Sequence, residues 1–485
     1  MPRFSLAQIS RALWATTLFT LPVTSFRYFP FLGDSTLVRP LALYPLAALL
    51  LVLIIRWWRG EIANPWTGSL IVLIAFLIAV LLATMIGSLY APLELRGSTF
   101  WERAVRAWLT LVIGVMFFVA AIWMNRDESD VRFSVRWLTL GLLLHFVWSL
   151  VQAISFYTDL LPRTTLKDWQ LTFSMRGPVK NRRFSGLAYE PSWLAGQIAT
   201  LYMPWLFAAI VTRTRILRAR WMDIAMLGIA LFLLLFTYSR GGTLYVILAA
   251  LVTLPFIGRG GASRLRAWFG ETFIQPASKI RWRNIFVTVV IVVSVIGLGK
   301  AALSTRTGQR YLGKFTASFQ RADSFSEFLT VNYAGARFAY AWGAMSAFDA
   351  HPWTGAGLGA SGFYILQNIP DWAKTTLFEV AHTLDPQSSL FPNPKNLYVR
   401  LLAETGLLGF ALYLAFQFSL LGEIRLLLKS DSGKFVALAA LFTWVALGLS
   451  NFTQDSLTIP NLWINMGIMA GFARSYLFAP AKENA

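Results

Sequence analysis

The sequence predicts an all-α, polytopic membrane protein of about twelve transmembrane helices, with one large loop on the outer side of the membrane. Of its 485 residues, 56% are hydrophobic and only 14% are charged, and 20 Trp and 38 Phe are among them. A water-soluble domain cannot bury so much apolar surface, so the bilayer must solvate much of this chain. Long segments without any charged residue recur along the sequence and set the number of spans.

Each predicted span is a charge-poor segment that approaches the roughly 20 residues needed to cross the hydrocarbon core. These spans lie near 8–24, 40–57, 68–90, 105–124, 136–157, 189–212, 222–238, 240–257, 284–300, 398–421, 433–450 and 459–478.

Basic residues orient the spans. With the N-terminus in the cytoplasm, the short connections rich in Arg and Lys fall on the cytoplasmic side, as the positive-inside rule requires. Both termini are then cytoplasmic. The residues concerned are Arg56, Arg59, Arg126, Arg132, Arg136, Arg213, Arg215, Arg218, Arg220, the run 259–283, Arg425, Lys429 and Lys434.

The outer side is dominated by one long connection. We expect residues 1–300 to hold the first nine spans, 301–397 to form the outer loop, and 398–485 to hold the last three spans and a short cytoplasmic tail. The loop is rich in aromatic residues and Gly, which favours a folded cap, and 333–349 could form a helix in it. Outer cations cluster at 163–183 and 300–400, where they could contact anionic lipid headgroups or bind a phosphate-bearing substrate.

The first cluster of candidate residues is R-R-F-S-G-L-A-Y-E-P-S-W at 182–193, which leads into the sixth span. Pro191 suits the first turn of a helix, and the positive helix end would stabilise the Glu190 carboxylate. Glu190 is therefore either a simple helix-end charge, or a base or acceptor-sugar ligand placed at the membrane surface.

The second cluster is T-Y-S-R-G-G at 237–242, a tight turn between two spans. Ionisable residues at the membrane boundary suggest function, and the glycines would let a phosphate approach the backbone closely. Arg240 could bind such a phosphate, or it could contact lipid headgroups.

The third cluster is Arg337 followed by H-P-W-T-G-A-G-L-G-A-S-G-F-Y at 351–364. The G-x-G-x-G spacing is not a dinucleotide site because no strand precedes it. We expect a flexible turn that exposes its backbone. His351, which stands alone before Pro352, is expected to be structural.

The fourth cluster is F-P-N-P-K-N-L-Y-V-R-L-L-A-E-T-G-L-L-G at 391–409, at the start of the tenth span. Lys395, Asn396 and Tyr398 are expected at the outer surface. Arg400 and Glu404 are four residues apart on one helical face and are expected to pair.

Metal and cysteine chemistry have little support in the sequence. The chain has no Cys, and its three His are far apart with no Asp-rich motif on the outer side. We therefore expect no cofactor, no metal ligands and no nucleic acid partner.

In these clusters the chain resembles the bacterial O-antigen ligase and polysaccharide polymerase superfamily. The resemblance rests on R-F-S-G-L-A-Y-E-P-S, Y-S-R-G-G, the Arg337 segment with H-P-W-T-G-A-G-L-G, K-N-L-Y-V-R-L-L-A-E-T-G-L-L-G and Q-D-S-L-T-I-P-N-L-W, which follow one another in that order across 182–463. It implies a multi-pass protein of the bacterial inner membrane with its site on the periplasmic side. The implied reaction is metal-independent, inverting transfer of a glycan from undecaprenyl pyrophosphate to an acceptor hydroxyl.

The resemblance also assigns candidate residues. Arg240 and Arg337, with Arg183 as a further candidate, would hold the pyrophosphate, whose growing charge bidentate Arg can neutralise without a cation. Asn396 and Tyr398 would help bind substrate. Glu190 is the first candidate for the base.

His382, Asp385 and Lys395 are further candidates for the base. Ligases of this superfamily typically carry a His at the position of Lys395, and Asn-Pro-Asn where this chain has Glu190-Pro191-Ser192. Both differences favour a polymerase over a ligase. Undecaprenyl-pyrophosphate-linked oligosaccharide and membrane lipids are then the expected partners, with a chain-length regulator as a further partner of a polymerase.

Two other classes remain open. A lipid-linked glycan transporter would show paired halves and charges buried at the midplane, whereas the ionisable residues here lie at the outer boundary. A scaffold protein would not need Arg-bearing turns from several spans to converge.

Overall fold

Helices dominate the described part of the chain, and each of the eleven predicted spans that lie within the described ranges contains one. The computed structural model describes residues 5–28, 37–90, 94–179, 182–257, 334–388 and 390–477, with a few isolated positions between 297 and 329. The predicted span 284–300 and the first part of the predicted loop 301–397 therefore lie almost wholly outside the described residues.

The first half of the chain forms a run of helices and one small hairpin. Its helices are α1 (Leu6–Thr20), α2 (Leu43–Trp58), α3 (Gly68–Gly87), α4 (Phe100–Met124), α5 (Glu128–Tyr157), α6 (Arg163–Phe173), α7 (Pro191–Gln197), α8 (Met203–Thr212), α9 (Arg220–Phe236) and α10 (Arg240–Thr253). A π-helical turn, Ile198–Tyr202, joins α7 to α8, and a 3₁₀ turn, Leu254–Ile257, follows α10. Strands β1 (Glu94–Leu95) and β2 (Ser98–Thr99) pair in antiparallel register, with Glu94 opposite Thr99.

The second half holds the described part of the predicted loop and the last helices. These are α11 (Gly335–Ala350), α12 (Ser361–Ile365), α13 (Asp371–Thr376), α14 (Phe378–Leu384), α15 (Leu397–Leu428), α16 (Lys434–Ser450) and α17 (Ile464–Leu477), with a 3₁₀ turn at Pro460–Leu462. The helix predicted over 333–349 is confirmed as α11.

Six helices in the described ranges are long and apolar enough to cross a membrane. They are Gly68–Gly87, Phe100–Met124, Glu128–Tyr157, Pro191–Thr212, Arg240–Ile257 and Leu397–Leu428. The apolar helices Leu43–Trp58 and Lys434–Ser450 are shorter. The prediction of a largely helical membrane protein is confirmed, whereas the count of about twelve spans stays a prediction.

Several helices begin before the predicted spans. They can do so because polar side chains at their starts accept hydrogen bonds from the first backbone amides of the helix. At α4 the Thr99 hydroxyl accepts from the Glu102 amide at 3.3 Å, and the Glu102 carboxylate accepts from the Thr99 amide at 3.1 Å. At α5 the Asp127 carboxylate accepts from the Asp130 amide at 2.9 Å. These caps let each helix extend beyond its apolar segment with its backbone groups satisfied.

Small residues allow α17 to approach α4 closely. A Cβ at Gly467 would come within 2.7 Å of the Ala121 Cβ, and a Cβ at Gly471 would come within 2.6 Å of the Asn125 carbonyl. Such contacts are typical of helix pairs in membranes, where close backbone packing replaces the hydrophobic effect. Elsewhere α3 packs along α15, and α10 along α16.

Helix α15 is broken at Gly406, and the segment 352–357 fills the break. Gly406 has φ 61° and ψ −166°, a conformation open essentially to Gly alone. The amides of Ala356 and Gly357 donate to the carbonyls of residues 403 and 404 at 2.9 and 3.0 Å, and the amides of residues 407 and 408 donate to the carbonyls of residues 352 and 353 at 2.8 and 3.2 Å. The backbone groups released by the break are thus bonded to another segment of the chain.

The expectation of a flexible, exposed turn at 355–359 is therefore wrong. Residues 355–360 are buried, and Gly355, Gly357 and Gly359 all have positive φ. A Cβ at Gly357 would meet the Phe100 ring at 2.9 Å, and one at Gly359 would meet the Arg103 carbonyl at 2.7 Å. The G-x-G-x-G spacing serves close packing of this segment against α4 and α15.

Candidate active site

The first two sequence clusters lie side by side. Arg183 donates from Nε to the carbonyl of Thr237 at 2.7 Å, and the Phe184 amide donates to the carbonyl of Phe236 at 3.1 Å. These bonds fix the turn that links α9 to α10, in which Tyr238 has a φ of 49°. Arg183 therefore orders the turn that presents Arg240.

Arg240 is the first residue of α10. The hydroxyl of Ser239, just before it, accepts from the Gly242 amide at 3.3 Å and caps the helix. Gly242 packs against α7, where a Cβ would come within 3.3 Å of the Ala195 backbone. Arg240 thus stands at the positive end of α10, a position that suits recognition of an anionic group.

Glu190 lies immediately before α7, as the sequence predicted, but its carboxylate does not cap the helix. Its Oε2 accepts from Arg176 Nη1 at 3.2 Å, and its Oε1 accepts from the Ser192 hydroxyl. The Glu190 side chain is 33% exposed, and the Arg176 guanidinium also lies 5.2 Å from the Tyr189 ring. Glu190 is thus a half-buried, hydrogen-bonded carboxylate that still reaches solvent.

Tyr245 connects the Arg240 turn with the third and fourth clusters. Its hydroxyl is 2.6 Å from the Thr453 hydroxyl, and a Cβ on Gly241 would lie 3.0 Å from it. Arg337, exposed on the first turn of α11, is close enough to interact electrostatically with this phenol. Arg240 and Arg337 therefore approach the same region from α10 and α11.

Lys395 is a positioned cation. Its Nζ pairs with the Glu379 carboxylate and lies 4.7 Å from the centre of the Tyr340 ring, while its amide donates to Asp455 at 3.0 Å. Lys395 has a φ of 55°. Burial raises the pKa of the Tyr340 phenol, and its hydroxyl is 2.7 Å from the Thr383 hydroxyl.

Asn396 and Tyr398 have clear structural roles. The Asn396 side chain caps α15 by accepting from the amides of residues 398 and 399 at 3.0 and 3.2 Å. The Tyr398 hydroxyl donates to the carbonyl of Gly448 at 2.8 Å, and its ring packs 4.8 Å from Phe452. In this structure both side chains are committed to protein groups, and a role in substrate binding stays a prediction.

The predicted pair of Arg400 and Glu404 is confirmed. Arg400 Nε donates to Glu404 Oε2 at 3.0 Å, and the two side chains are only 13% and 2% exposed. Arg400 also donates to the Asp455 carbonyl at 2.7 Å, and Ser361 donates to Glu404 at 2.7 Å. Arg103, 3.9 Å from the Phe391 ring, lies within electrostatic range of Glu404. This network stabilises the break in α15.

The three His residues have separate surroundings. His382 is exposed on α14, three residues after Glu379, and stacks on Phe378. His351 stacks on Tyr90 with 3.8 Å between ring centres, and partial burial lowers its pKa. His145 is fully buried and accepts from the Leu187 amide. Across the described ranges, no three His, Asp or Glu side chains are grouped so as to hold a metal ion.

The connection between α16 and α17 brings the clusters together. Through Thr453 it contacts Tyr245 on α10, and through Asp455 it holds the Lys395 amide and Arg400. No sequence pattern assigned an individual role to Asp455, Arg176, Glu379 or Tyr245. Of these four, only Asp455 could have been noticed from the sequence, because it is the acidic residue of the Q-D-S motif. The partners of the other three depend on the fold.

Comparison with known families agrees with this arrangement. Residues 224–414 match the family model described as O-antigen ligase. The match runs from α9 into α15 and includes Arg240, Arg337 and Lys395, whereas Arg183 and Glu190 precede it. It confirms the resemblance to the O-antigen ligase and polysaccharide polymerase superfamily. No curated protein matches the chain. Together with the six apolar helices, the match supports a membrane protein similar to the O-antigen ligase and polymerase type over this part of the chain.

Proposed function

We propose that the protein is a glycosyltransferase that moves a glycan from undecaprenyl pyrophosphate to a sugar hydroxyl, and that it acts as a polysaccharide polymerase. The observation that carries this proposal is that Arg337 lies within electrostatic range of Tyr245, whose hydroxyl lies beside Gly241, the residue after Arg240, and bonds to the connection that holds Lys395. Several cations near one surface suit a substrate with two phosphates.

The chemistry needs little beyond positioning and charge. The acceptor hydroxyl oxygen forms a bond to the anomeric carbon as the bond from that carbon to the pyrophosphate oxygen breaks, with inversion. The hydroxyl proton passes to a base, and the electron pair leaves with the lipid pyrophosphate. Arg240 and Arg337 would neutralise the charge that grows on this leaving group. Glu190 would accept the proton or orient the acceptor.

The environment of Lys395 favours a polymerase over a ligase. At the position where ligases typically carry a His, this chain has a Lys whose Nζ is held by Glu379 and faces the Tyr340 ring. A cation held in this way can attract an anion but is a poor proton acceptor. The alternative proposal is a ligase that transfers to a lipid A core acceptor, with Glu190 as its base.

Purified protein in liposomes with an undecaprenyl-pyrophosphate-linked oligosaccharide would test this function. A polymerase makes a ladder of longer lipid-linked glycans and releases undecaprenyl pyrophosphate. A ligase releases it only when a lipid A core acceptor is added. A transporter moves the lipid-linked glycan across the bilayer and releases no undecaprenyl pyrophosphate. If none is released when both the lipid-linked oligosaccharide and the lipid A core acceptor are present, the protein is not a glycosyltransferase.

We also propose that transfer needs no divalent metal, because arginines can supply the positive charge that a metal would supply elsewhere. Transfer should therefore persist in EDTA at the rate measured without it. The same assay checks this directly. Loss of product in EDTA, restored by Mg²⁺ or Mn²⁺, would refute metal independence without affecting the assignment of the reaction.

A further inference from the structure

A second basic site lies at the other end of the molecule. A cavity of about 570 Å³ is lined by Arg132 and Arg136 near the start of α5 and by Arg213, Thr214, Arg215, Leu217 and Arg218 between α8 and α9. Helix α5 has 30 residues and is therefore about 45 Å long. Its far end carries Tyr157, which contacts the Arg182 carbonyl beside the candidate active site. The cavity and the candidate active site therefore lie at opposite ends of α5.

The wall of this cavity is held in a defined shape. The buried Asp223 accepts from the amides of Ile216 and Leu217 at 3.2 and 3.0 Å, and Arg136 Nε donates to the Ile216 carbonyl at 2.8 Å. The first residue after α8, Arg213, has a left-handed conformation with φ 60°. The loop is thus tied to both α5 and α9, and its arginines are presented by an ordered backbone.

Within the described ranges, carboxylates neutralise only part of the charge of this cavity. Among the described residues, Glu128 is the one carboxylate that forms an ion pair with these five arginines, and it pairs with Arg132 at 2.6 Å. Asp223 is committed to backbone amides. Arg213, Arg215 and Arg218 are exposed and line the cavity. A surplus of guanidinium groups around a concave surface favours an anion that can accept several hydrogen bonds, above all a phosphate.

The surroundings favour a lipid as the source of that phosphate. Trp221, 70% exposed at the start of α9, follows the loop directly, and exposed Trp next to basic residues is typical of the membrane–water interface. We propose that this cavity binds the phosphate of an anionic phospholipid headgroup, such as phosphatidylglycerol. The site is independent of the glycosyltransferase proposal, because none of its residues belongs to the candidate active site.

Native mass spectrometry of the detergent-purified protein with added phosphatidylglycerol or phosphatidylcholine would test this site. Removing an Arg near an anionic headgroup should weaken binding about fivefold, so the triple variant Arg213→Gln, Arg215→Gln, Arg218→Gln should bind phosphatidylglycerol roughly 100-fold more weakly. A control variant removes the same charge from exposed positions outside the cavity: Arg59→Gln, Arg425→Gln, Lys429→Gln. It should stay within about twofold of the parent.

Two further measurements distinguish a lipid phosphate from a soluble phosphate and control for misfolding of the triple variant. Inorganic phosphate and glycerol 3-phosphate should not displace the lipid at millimolar concentration, and displacement by either would refute a lipid site in favour of a soluble phosphate. The single variants should each show about a fivefold effect even if the triple variant does not fold. The proposal would be overturned if the single variants bound phosphatidylglycerol as well as the parent, or if the control variant lost as much binding as the triple variant.

Discussion

The three arginines predicted to hold pyrophosphate differ in what they contact. Arg183 is used to fix the carbonyl of Thr237, and it therefore builds the turn that presents Arg240. Arg240 stands on the positive end of α10, and Arg337 is exposed on α11 within electrostatic range of Tyr245. We therefore propose Arg240 and Arg337 as the pyrophosphate ligands and Arg183 as a residue that positions Arg240.

Replacing Arg240 or Arg337 with Ala should lower transfer roughly 10- to 150-fold, because one charge-assisted contact is worth about 1.5–3 kcal/mol. Arg→Lys should recover only part of the loss, since Lys cannot form the planar fork. Arg425→Ala, exposed near the end of α15, is the control and should transfer like the parent. Full activity of Arg240→Ala at normal membrane abundance would exclude this role.

For Glu190, a conservative substitution separates the two proposed roles. Glu190→Gln keeps the shape and can still bond Ser192, but it removes the basicity of the carboxylate. A base predicts near-complete loss of transfer with donor binding intact, whereas an orienting group predicts a milder loss, mostly in acceptor affinity. Product formation and donor binding are measured for Gln and Ala variants. If both variants transfer like the parent, Glu190 is only a helix-end charge.

Among the helices, α15 shows most clearly how one residue of the sequence determines the shape of an element, because its break requires Gly406. Gly406 takes a backbone conformation that other residues avoid, and the segment 352–357 lies directly against it. The buried pair of Arg400 and Glu404 lies one turn before the break and ties it to the Asp455 connection. The break therefore fixes the start of α15, which Lys395 precedes by two residues, relative to the helices around it.

Gly406→Ala should destabilise the protein by about 1–3 kcal/mol, because Ala is strained at that φ and ψ and its Cβ would overlap the Trp353–Thr354 backbone. Gly422 offers a matched control in the same helix, where a Cβ would meet nothing within 4 Å. Gly422→Ala should be neutral or stabilising by up to about 1 kcal/mol. Thermal unfolding in detergent measures both, and equal midpoints for the two variants would contradict the account.

At the scale of the whole molecule, the expected orientation is testable because the chain has no Cys. Thr375 on α13 and Lys429 after α15 are both exposed and lie on opposite sides in the predicted topology. A membrane-impermeant maleimide applied to intact spheroplasts should label Thr375→Cys and spare Lys429→Cys until the membrane is opened. The reverse pattern would invert the topology and move the candidate site to the cytoplasmic side.

Within the described ranges, the sequence was sufficient for the approximate positions of the long apolar helices, because apolar segments determine where a membrane helix forms. It also predicted the pair of Arg400 and Glu404, and it made Arg240 and Arg337 candidates, since charges at helix ends stand out in an apolar chain. It could not identify partners such as Arg176 for Glu190 or Glu379 for Lys395. Those contacts join segments that only the tertiary fold brings together, and no local pattern records them.

The break in α15 also has a consequence for how the protein is made. A helix that enters the bilayer with released carbonyls and amides must find partners for them, because the hydrocarbon core offers none. Here the partners are the backbone groups of 352–357, which are synthesised before α15. We therefore expect insertion of α15 and docking of the segment 352–357 to be coupled, because each supplies backbone partners that the other would lack in the bilayer.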